Sequence, residues 1–569
     1  MPKYPPRYAR FFFFFLAEAL FLAFFQNLAN VDKLWNYTFA ENIASGLLPY
    51  RDFNILQTPF SAALNGFFLT LFGHHMLVIE IAGAFLFALI CWQLYTISVR
   101  FSMPTAPALI FSQCFLLLFE WNVFLEYSCL IVLFSLTLAR TDLASRDGMN
   151  RFLDVPALQI LPGLLGGLAM MSKQTYGFFV AAGSCISLMY LCHVKRPVYV
   201  EPVYDAAESG TDVCPQQALP FFRPGTVKLL ACRLIGILIP NFIFLFYLLY
   251  TGTFADFWDM AIAGVSTFSS RFPYLTLAKE NIGNTILCIA VPVMILSSIL
   301  FGLFKRKTRS GQAALILLIY GLFGLINLYP MANFYHFSTC LIAFLPLLAL
   351  LIGRRFWRFR LPRQICQLIN AAVLVVCVLY IPIKIVREHH LSLDIPQFEG
   401  VFISDEREAD IRLITDYVRE KEKDGYTVYI LDNRASQYFL PLDRYNKYFD
   451  LFLLGNMGTT PPEDLLAAAV KENTIFLMPG KDLTEWQYPY DAVNALKKEL
   501  VKGEEIGGFT AYYSAAQVPG HPPAAYVAPL ALMPGTVVVG EPPRHMLKKQ
   551  WKSGCKQPFS IAFKHTRAE

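Results

Sequence analysis

The residues best suited to chemistry stand at the ends of apolar stretches. Asp32 opens the segment "DKLWNYTFAENIASGLLPYRDFN" (residues 32–54), and Tyr50, Arg51 and Asp52 close it in a break that follows Gly46 and Pro49. Tyr37, Ala40, Ile43 and Ala44 recur at helical spacing, which places the two carboxylates at opposite ends of one short helix. Lys173 and Gln174 stand between two apolar runs, Glu126 at the end of another, and Tyr335 and His336 close "YPMANFYH" (329–336). A carboxylate can take a proton from a reacting hydroxyl, and an ammonium or guanidinium at a membrane surface can hold an anionic head group. The same side chains have plain structural roles: Asp32 as a helix cap, Asp52 as a turn residue, Lys173 as a snorkelling helix-end lysine, Tyr335 and His336 as interfacial anchors. Glu126 is costly to bury and so suggests function, unless a polar hairpin tip keeps it wet.

The elements that must position these residues are membrane helices. Of 569 residues, 55% are hydrophobic and 16% charged, and the mean hydropathy is +0.44, outside the soluble globular range. Runs of about 20 mostly apolar residues, enough to cross a bilayer, recur from Phe11 to about Ile385. The first, Phe11 to Ala29, is too long for a signal-peptide core and lacks a small-x-small cleavage site, so it reads as a retained span with a cytoplasmic N-terminus. The twelve cysteines fall mainly inside apolar runs, as at Cys91, Cys129, Cys288 and Cys377, and read as small packing residues. No basic stripe with interleaved aromatics is present, which argues against nucleic acid as a partner.

Charge sets the expected topology. "FKRKTR" (304–309) and "GRRFWRFRLPR" (353–363) are dense in Lys and Arg and should be cytoplasmic. Working outward from them predicts spans at 283–303, 311–328, 337–353 and 366–385, outer loops at 251–281 and 327–336, and a Pro-rich cytoplasmic insert at 193–228. Further back, spans at 174–192 and 155–171 put Lys173 outside and the basic loop 140–151 inside. A hairpin of 104–119 and 121–139 carries "EWN" at its outer tip. Residues 58–72 are expected to be partly interfacial, with 76–98 completing one crossing. The prediction is a polytopic α-helical membrane protein of about eleven transmembrane helices, residues 1–386, with its C-terminal part outside.

Residues 387–514 read as a small extracytoplasmic α/β domain. An amphipathic helix is expected at 405–421, and strands "TVYILD" (427–432), "DLFLL" (450–454) and "TIFLMP" (474–479) alternate with helical "PPEDLLAAAVKE" and "DAVNALKKELV". From about 515 to 569 the chain is Pro-rich and then basic, and reads as a loosely ordered tail. No internal repeat is apparent.

The first loop, "D-K-L-W-N-Y-x-x-A-x-x-I-x-x-G-x-x-P-Y-R-D-F" followed by "TP" and an apolar segment ending "LFG", resembles the first outer loop of the C-superfamily membrane glycosyltransferases (GT-C). It is most similar to bacterial members related to protein mannosyltransferases and aminoarabinose transferases. "GLLGGLAMMSKQTYG" (163–177), "YPMANFYH" and "FDLFLLGNMG" (449–458) resemble further stretches of such proteins, so that the likeness spans most of residues 10–480. The resemblance implies a hexosyl- or pentosyltransferase that moves a sugar from a polyprenyl-phosphate carrier, undecaprenyl in bacteria, to a lipid, glycan or protein acceptor. The reaction would take place on the outer face of the plasma membrane.

By the resemblance, Asp32 matches the family's catalytic aspartate and would act as base, with Asp52 as a second candidate carboxylate. Lys173, with Arg51 as helper, would hold the donor phosphate, where fixed positive charge is needed more than a proton donor. Tyr50, Gln174, Glu126, Tyr335 and His336 complete the expected substrate-binding set. Many relatives carry Asp-Glu where this chain has Asp32-Lys33. No cofactor is identified, and a divalent cation, which would want several oxygen ligands, finds no clear set here. The competing reading is a transporter or flippase of a lipid-linked sugar, which should show paired broken helices and charges near mid-bilayer. A third is a scaffold whose outer domain binds a partner.

Overall fold

The computed structural model describes residues 7–101, 103–118, 122–194, 224–267, 277–279, 281–329, 332–356, 359–480 and 487–514. Most of the Pro-rich insert, the first two residues of the "EWN" tip and the tail from 515 lie outside the described residues.

Helices come first along the chain: α1 (Arg7–Ala23), α2 (Val31–Ala44), α3 (Phe60–Phe72), α4 (Met76–Arg100), α5 (Thr105–Leu118), α6 (Tyr127–Arg146), α7 (Ile160–Ser172), α8 (Gln174–His193) and α9 (Pro224–Thr251). They continue as α10 (Ile282–Phe304), α11 (Arg309–Gly324), α12 (Phe334–Phe356) and α13 (Arg360–Val375), the last running on through a π turn to Glu388. Among the described residues seven helices are long and apolar enough to cross a membrane, or eight if the pair Phe334–Ile342 and Phe344–Ile352, bent by 52°, counts as one. The expected eleven crossings include shorter helices such as α1, with 17 residues, and α7, with 13.

Most predicted spans coincide with a helix within a few residues. One is displaced: the span expected at 121–139 is α6, which begins at Tyr127 because the Glu126 side chain accepts a hydrogen bond from Cys129 N and caps it there. The basic loop expected from residue 140 is therefore helical as far as Arg146. At this end of the bundle Arg100 and Arg146 both pair with Asp147, and Arg146 donates to Arg309 O at 2.5 Å. Arg100 and the basic segments 140–151 and 304–309 thus lie together.

Two devices hold the helices. Gly163 on α7 faces Gly236 on α9 so closely that a Cβ at residue 163 would sit 2.2 Å from Arg233 O and 2.8 Å from the Gly236 Cα. The glycines therefore let two backbones meet, as small residues do between membrane helices. Beside them Arg233 is fully buried, donating to Asp142 Oδ1 at 3.0 Å, Gln159 Oε1 at 2.9 Å and Ser184 O at 2.5 Å, while Tyr320 donates to the other Asp142 oxygen at 2.7 Å. One network ties α6, α8, α9 and α11.

After Glu388 a short pair, β1 (His390–Leu391) and β2 (Phe402–Ile403), leads into α14 (Asp405–Lys423). A four-stranded sheet follows in the order β3-β4-β6-β5, built from β3 (Thr427–Ile430), β4 (Thr474–Pro479), β5 (Val501–Ile506) and β6 (Phe509–Tyr513). β3 and β4 are parallel, with Val428 opposite Ile475, and the crossover between them carries α15 (Pro462–Ala469). β6 runs antiparallel to both β4 and β5, and α16 (Tyr490–Glu499) precedes β5.

The strand expected at 450–454 is instead a turn-rich loop. Its apolar residues Leu451, Phe452 and Leu453 are buried in a cluster with Phe39 and Phe53 of the first loop. An apolar run signals burial, and here burial is met by a loop under α2. The hairpin β5–β6 turns at Gly507-Gly508, with Gly507 at φ +55°; it was not anticipated, although a Gly-Gly pair between alternating residues is a hairpin signal.

Replacing Arg233 with Met strands the Asp142 carboxylate in the bundle. This should cost about 3–5 kcal/mol, read as a fall in thermal midpoint in detergent, and the double variant Arg233→Met/Asp142→Leu should recover much of it.

Candidate active site

The first loop folds as its spacing predicts, but its polar residues divide into two places. Asn30, not Asp32, caps α2: its side chain accepts from Lys33 N at 2.9 Å. Asp32 is left for other work in the first helical turn. Lys33, beside it in sequence, points away into the core and donates to Glu80 Oε1 of α4 at 2.5 Å and to Asn27 O at 2.6 Å. Both members of that ion pair are 1% exposed. Lys33 is therefore a pin between α2 and α4, and its charge is met by Glu80.

Around Asp32 gather residues from three other elements. Lys173, at the sharp break between α7 and α8, donates from Nζ to Asn327 Oδ1 at 2.9 Å and lies 5.3 Å from the Tyr127 ring centroid. Its charge interacts with both Glu126 and Asp32. Glu126 is buried, with Oε2 accepting from Cys129 N at 2.8 Å and Oε1 lacking a hydrogen-bond partner among the described residues. Tyr335 is close enough to interact with both carboxylates. His336 holds Asn333 Oδ1 at 2.7 Å through Nδ1 and at 2.8 Å through its backbone N–H. Asn327 in turn donates to Thr339 Oγ1 at 2.6 Å, so the acceptor of the Lys173 hydrogen bond is itself fixed.

Two carboxylates, Asp32 and Glu126, thus lie within electrostatic reach of one ammonium, with tyrosines beside them. Lys173 is neither free in solvent nor neutralised by a direct salt bridge within 4 Å among the described residues. Such a cation can meet an incoming anion. Sequence reasoning missed Asn327 and Tyr127; only their contact with Lys173 marks them, and neither stands in a distinctive motif.

The other expected residues lie elsewhere. Asp52 accepts from Arg51 Nε and Nη2 at 2.8 and 2.9 Å and from Leu48 N at 2.8 Å. The hydrogen bonds from Arg51 hold its carboxyl below the usual carboxylate range. The pair sits beyond the far end of α2, whose 14 residues span about 20 Å at 1.5 Å per residue. Tyr50 is fully buried at φ +70°, donating to Gln57 O at 2.8 Å and packed edge-on to Phe257; its strained backbone serves the turn. Gln174 is a clamp: Nε2 donates to Ala261 O at 2.6 Å and Leu56 O at 3.1 Å, and Oε1 accepts from Thr58 N at 3.2 Å. It ties the end of the first loop to the outer turn at 258–263. Among the described residues no three His, Cys, Asp or Glu side chains form a metal-binding group.

The α/β part caps these loops. Trp35 Nε1 donates to Asn433 O at 2.9 Å, Asn54 Nδ2 to Asn456 O at 2.8 Å, and Arg434 Nη2 to Ala29 O at 3.4 Å. Thr459 N donates to Asp259 at 3.2 Å, and Lys447 pairs with Asp256 at 3.1 Å.

No protein-family model matches the chain, and no curated protein matches it. Among solved structures the chain is similar to the oligosaccharyltransferase of Archaeoglobus fulgidus. Against the form tethered to an acceptor peptide with an NVT sequon, the identity is 14% and the TM-score 0.43, over 78% of this chain and 60% of that one. Against the same protein, AglB, with an inhibitory peptide and a dolichol-phosphate, the identity is 13% and the TM-score 0.46, over 92% of this chain and 75% of that one. The chain thus spans 60 to 75% of the length of the structures it resembles.

Proposed function

We propose that the chain is a membrane glycosyltransferase that takes a sugar from a polyprenyl-phosphate donor at the outer surface of the membrane. The observation that carries this is the convergence of Asp32, Glu126 and Lys173 at one end of an apolar helix bundle. In the reaction, an acceptor hydroxyl oxygen attacks the anomeric carbon, its proton passes to Asp32, and the bond from that carbon to the phosphate oxygen breaks. The polyprenyl phosphate leaves with the bonding electrons. Lys173, poised by Asn327, stabilises the negative charge gathering on that phosphate. The unpartnered Glu126 oxygen is placed to accept from a sugar or acceptor hydroxyl. The Arg51–Asp52 pair, already mutually neutralised, stays outside the chemistry, and the α/β part, by capping the loops, forms the acceptor side of the site.

Sugar release or transfer from a panel of radiolabelled polyprenyl-phosphate sugars in proteoliposomes tests the reading. Asp32→Asn should lose about 10²–10⁴-fold in kcat with donor binding retained, and Lys173→Met about 10²–10³-fold with weakened donor binding. Asp52→Asn should stay within about tenfold of the parent, the size of a modest structural change of about 1.4 kcal/mol. Movement of intact donor across the bilayer without any turnover would instead identify a flippase.

The Lys33–Glu80 pin yields a separate expectation. Lys33→Met should lower stability by about 3–5 kcal/mol through the uncompensated Glu80 charge, and transfer should fall with it; Lys33→Met/Glu80→Leu should regain the thermal midpoint.

A further inference from the structure

Between α2 and the α/β part lies a small, partly open cavity. Trp35 and Asn42 line it from α2, and Ser436, Asp450 and Asn456 line it from the loops that follow β3. About 10 Å³ is open inside it, room for a single water-sized occupant.

Four side-chain oxygens of these lining residues, Asn42 Oδ1, Ser436 Oγ, Asp450 Oδ1 and Asn456 Oδ1, have no hydrogen-bond partner among the described residues. All four residues are more than nine-tenths buried: Asn42 and Ser436 are 1% exposed, Asn456 2% and Asp450 8%. Their orientation is set by their other atoms. Asn456 Nδ2 donates to Leu451 O at 2.8 Å, Asp450 Oδ2 accepts from Asn446 N at 2.9 Å, and Asp450 O accepts from Ser436 N at 3.2 Å. Lys447 also lines the cavity, and its ammonium pairs with Asp256 at 3.1 Å. Burial pushes the Asp450 carboxyl up to about 7, a group poised to gain from a positive partner.

Leaving such atoms unpaired is costly. One water molecule donates two hydrogens, yet the two amide oxygens are acceptors only, as is the Asp450 oxygen when ionised. A hard cation suits such a set of acceptors. No Cys or His lines the cavity, so the donor set is hard oxygen throughout and carries a single formal charge.

We propose that this cavity binds one hard cation of the Na⁺ or Ca²⁺ kind, held by Asn42 of the first outer loop and by Ser436, Asp450 and Asn456 of the α/β part. The ion clips α2 to the part that caps it. This site is separate from the carboxylates around Asp32 and rests on none of the chemistry assigned there.

Full-length protein in detergent is titrated with NaCl against choline chloride at fixed ionic strength, and with CaCl₂ against MgCl₂, while the thermal midpoint is followed. In parallel, Tb³⁺ luminescence sensitised through Trp35 reports occupancy directly. A saturable rise on the order of 2 °C with Na⁺ or Ca²⁺, and terbium emission displaced by the same ion, are expected in the parent and in Asp32→Asn. Both should vanish in Asp450→Asn; if that variant fails to fold, Asn42→Leu serves instead. The cation with the larger shift names the occupant. No shift beyond choline, or a shift and emission that survive both variants, would overturn the proposal and leave the cavity to a water molecule. Binding is read without any sugar transfer, so this result and the result on Asp32 can fail independently.

Discussion

The buried ion pair between Lys33 and Glu80 is the constraint on which the placement of α2 and the residues around it depends. It joins the first turn of α2 to α4 with both charges withdrawn from solvent. In that setting an ion pair is worth little as net stability but penalises every arrangement that separates it. Rotation of α2 about its axis would bring Lys33 out of the core, so the pair fixes which face of the helix looks where. Asp32 then faces Lys173 and Glu126, and Asn42 faces the loops of the α/β part.

The first loop is positioned by being sandwiched. α2 contributes Leu34, Tyr37 and Ala40 to a core that includes Phe398, Ile411 and Ile430, and the same loop sends Phe39, Tyr50 and Phe53 into a second core with Phe449 and Phe452. A loop with two hydrophobic clusters cannot be ordered by the membrane alone, because water would meet one of them. The α/β part removes both from water. Its carboxyl-end loops after β3 supply Asn433 and Arg434 to the neighbourhood of Asp32 and Asn456 to that of Asn54. The start of α2 and the α/β part are therefore built as one piece.

The candidate site also shows how buried charge can be made useful. Lys173 is satisfied by a neutral amide oxygen, and Asn327 is oriented by Thr339. A neutral partner holds the ammonium in place without spending its charge. Arg51 and Asp52, by contrast, form an exposed bidentate pair that adds little to stability and leaves neither charge for a ligand.

The sequence by itself determined the membrane class, the positions of most helices, the amphipathic helix that became α14, and the strands β3 and β4. These are local properties, written in hydropathy, periodicity and the Gly46 and Pro49 break. The tertiary structure decided what local pattern cannot carry. Asp32 and Asp52 look equivalent along the chain, but only one meets a lysine 141 positions later, because helix packing brings α7 and α8 to the start of α2. Tyr50 and Gln174 read as binding residues and prove to be a turn anchor and a clamp, since a polar side chain looks the same in sequence whether its partner is a ligand or a backbone carbonyl. The run at 450–454 is apolar for burial, and whether burial comes as strand or loop was settled by the surface of α2 that it had to fit.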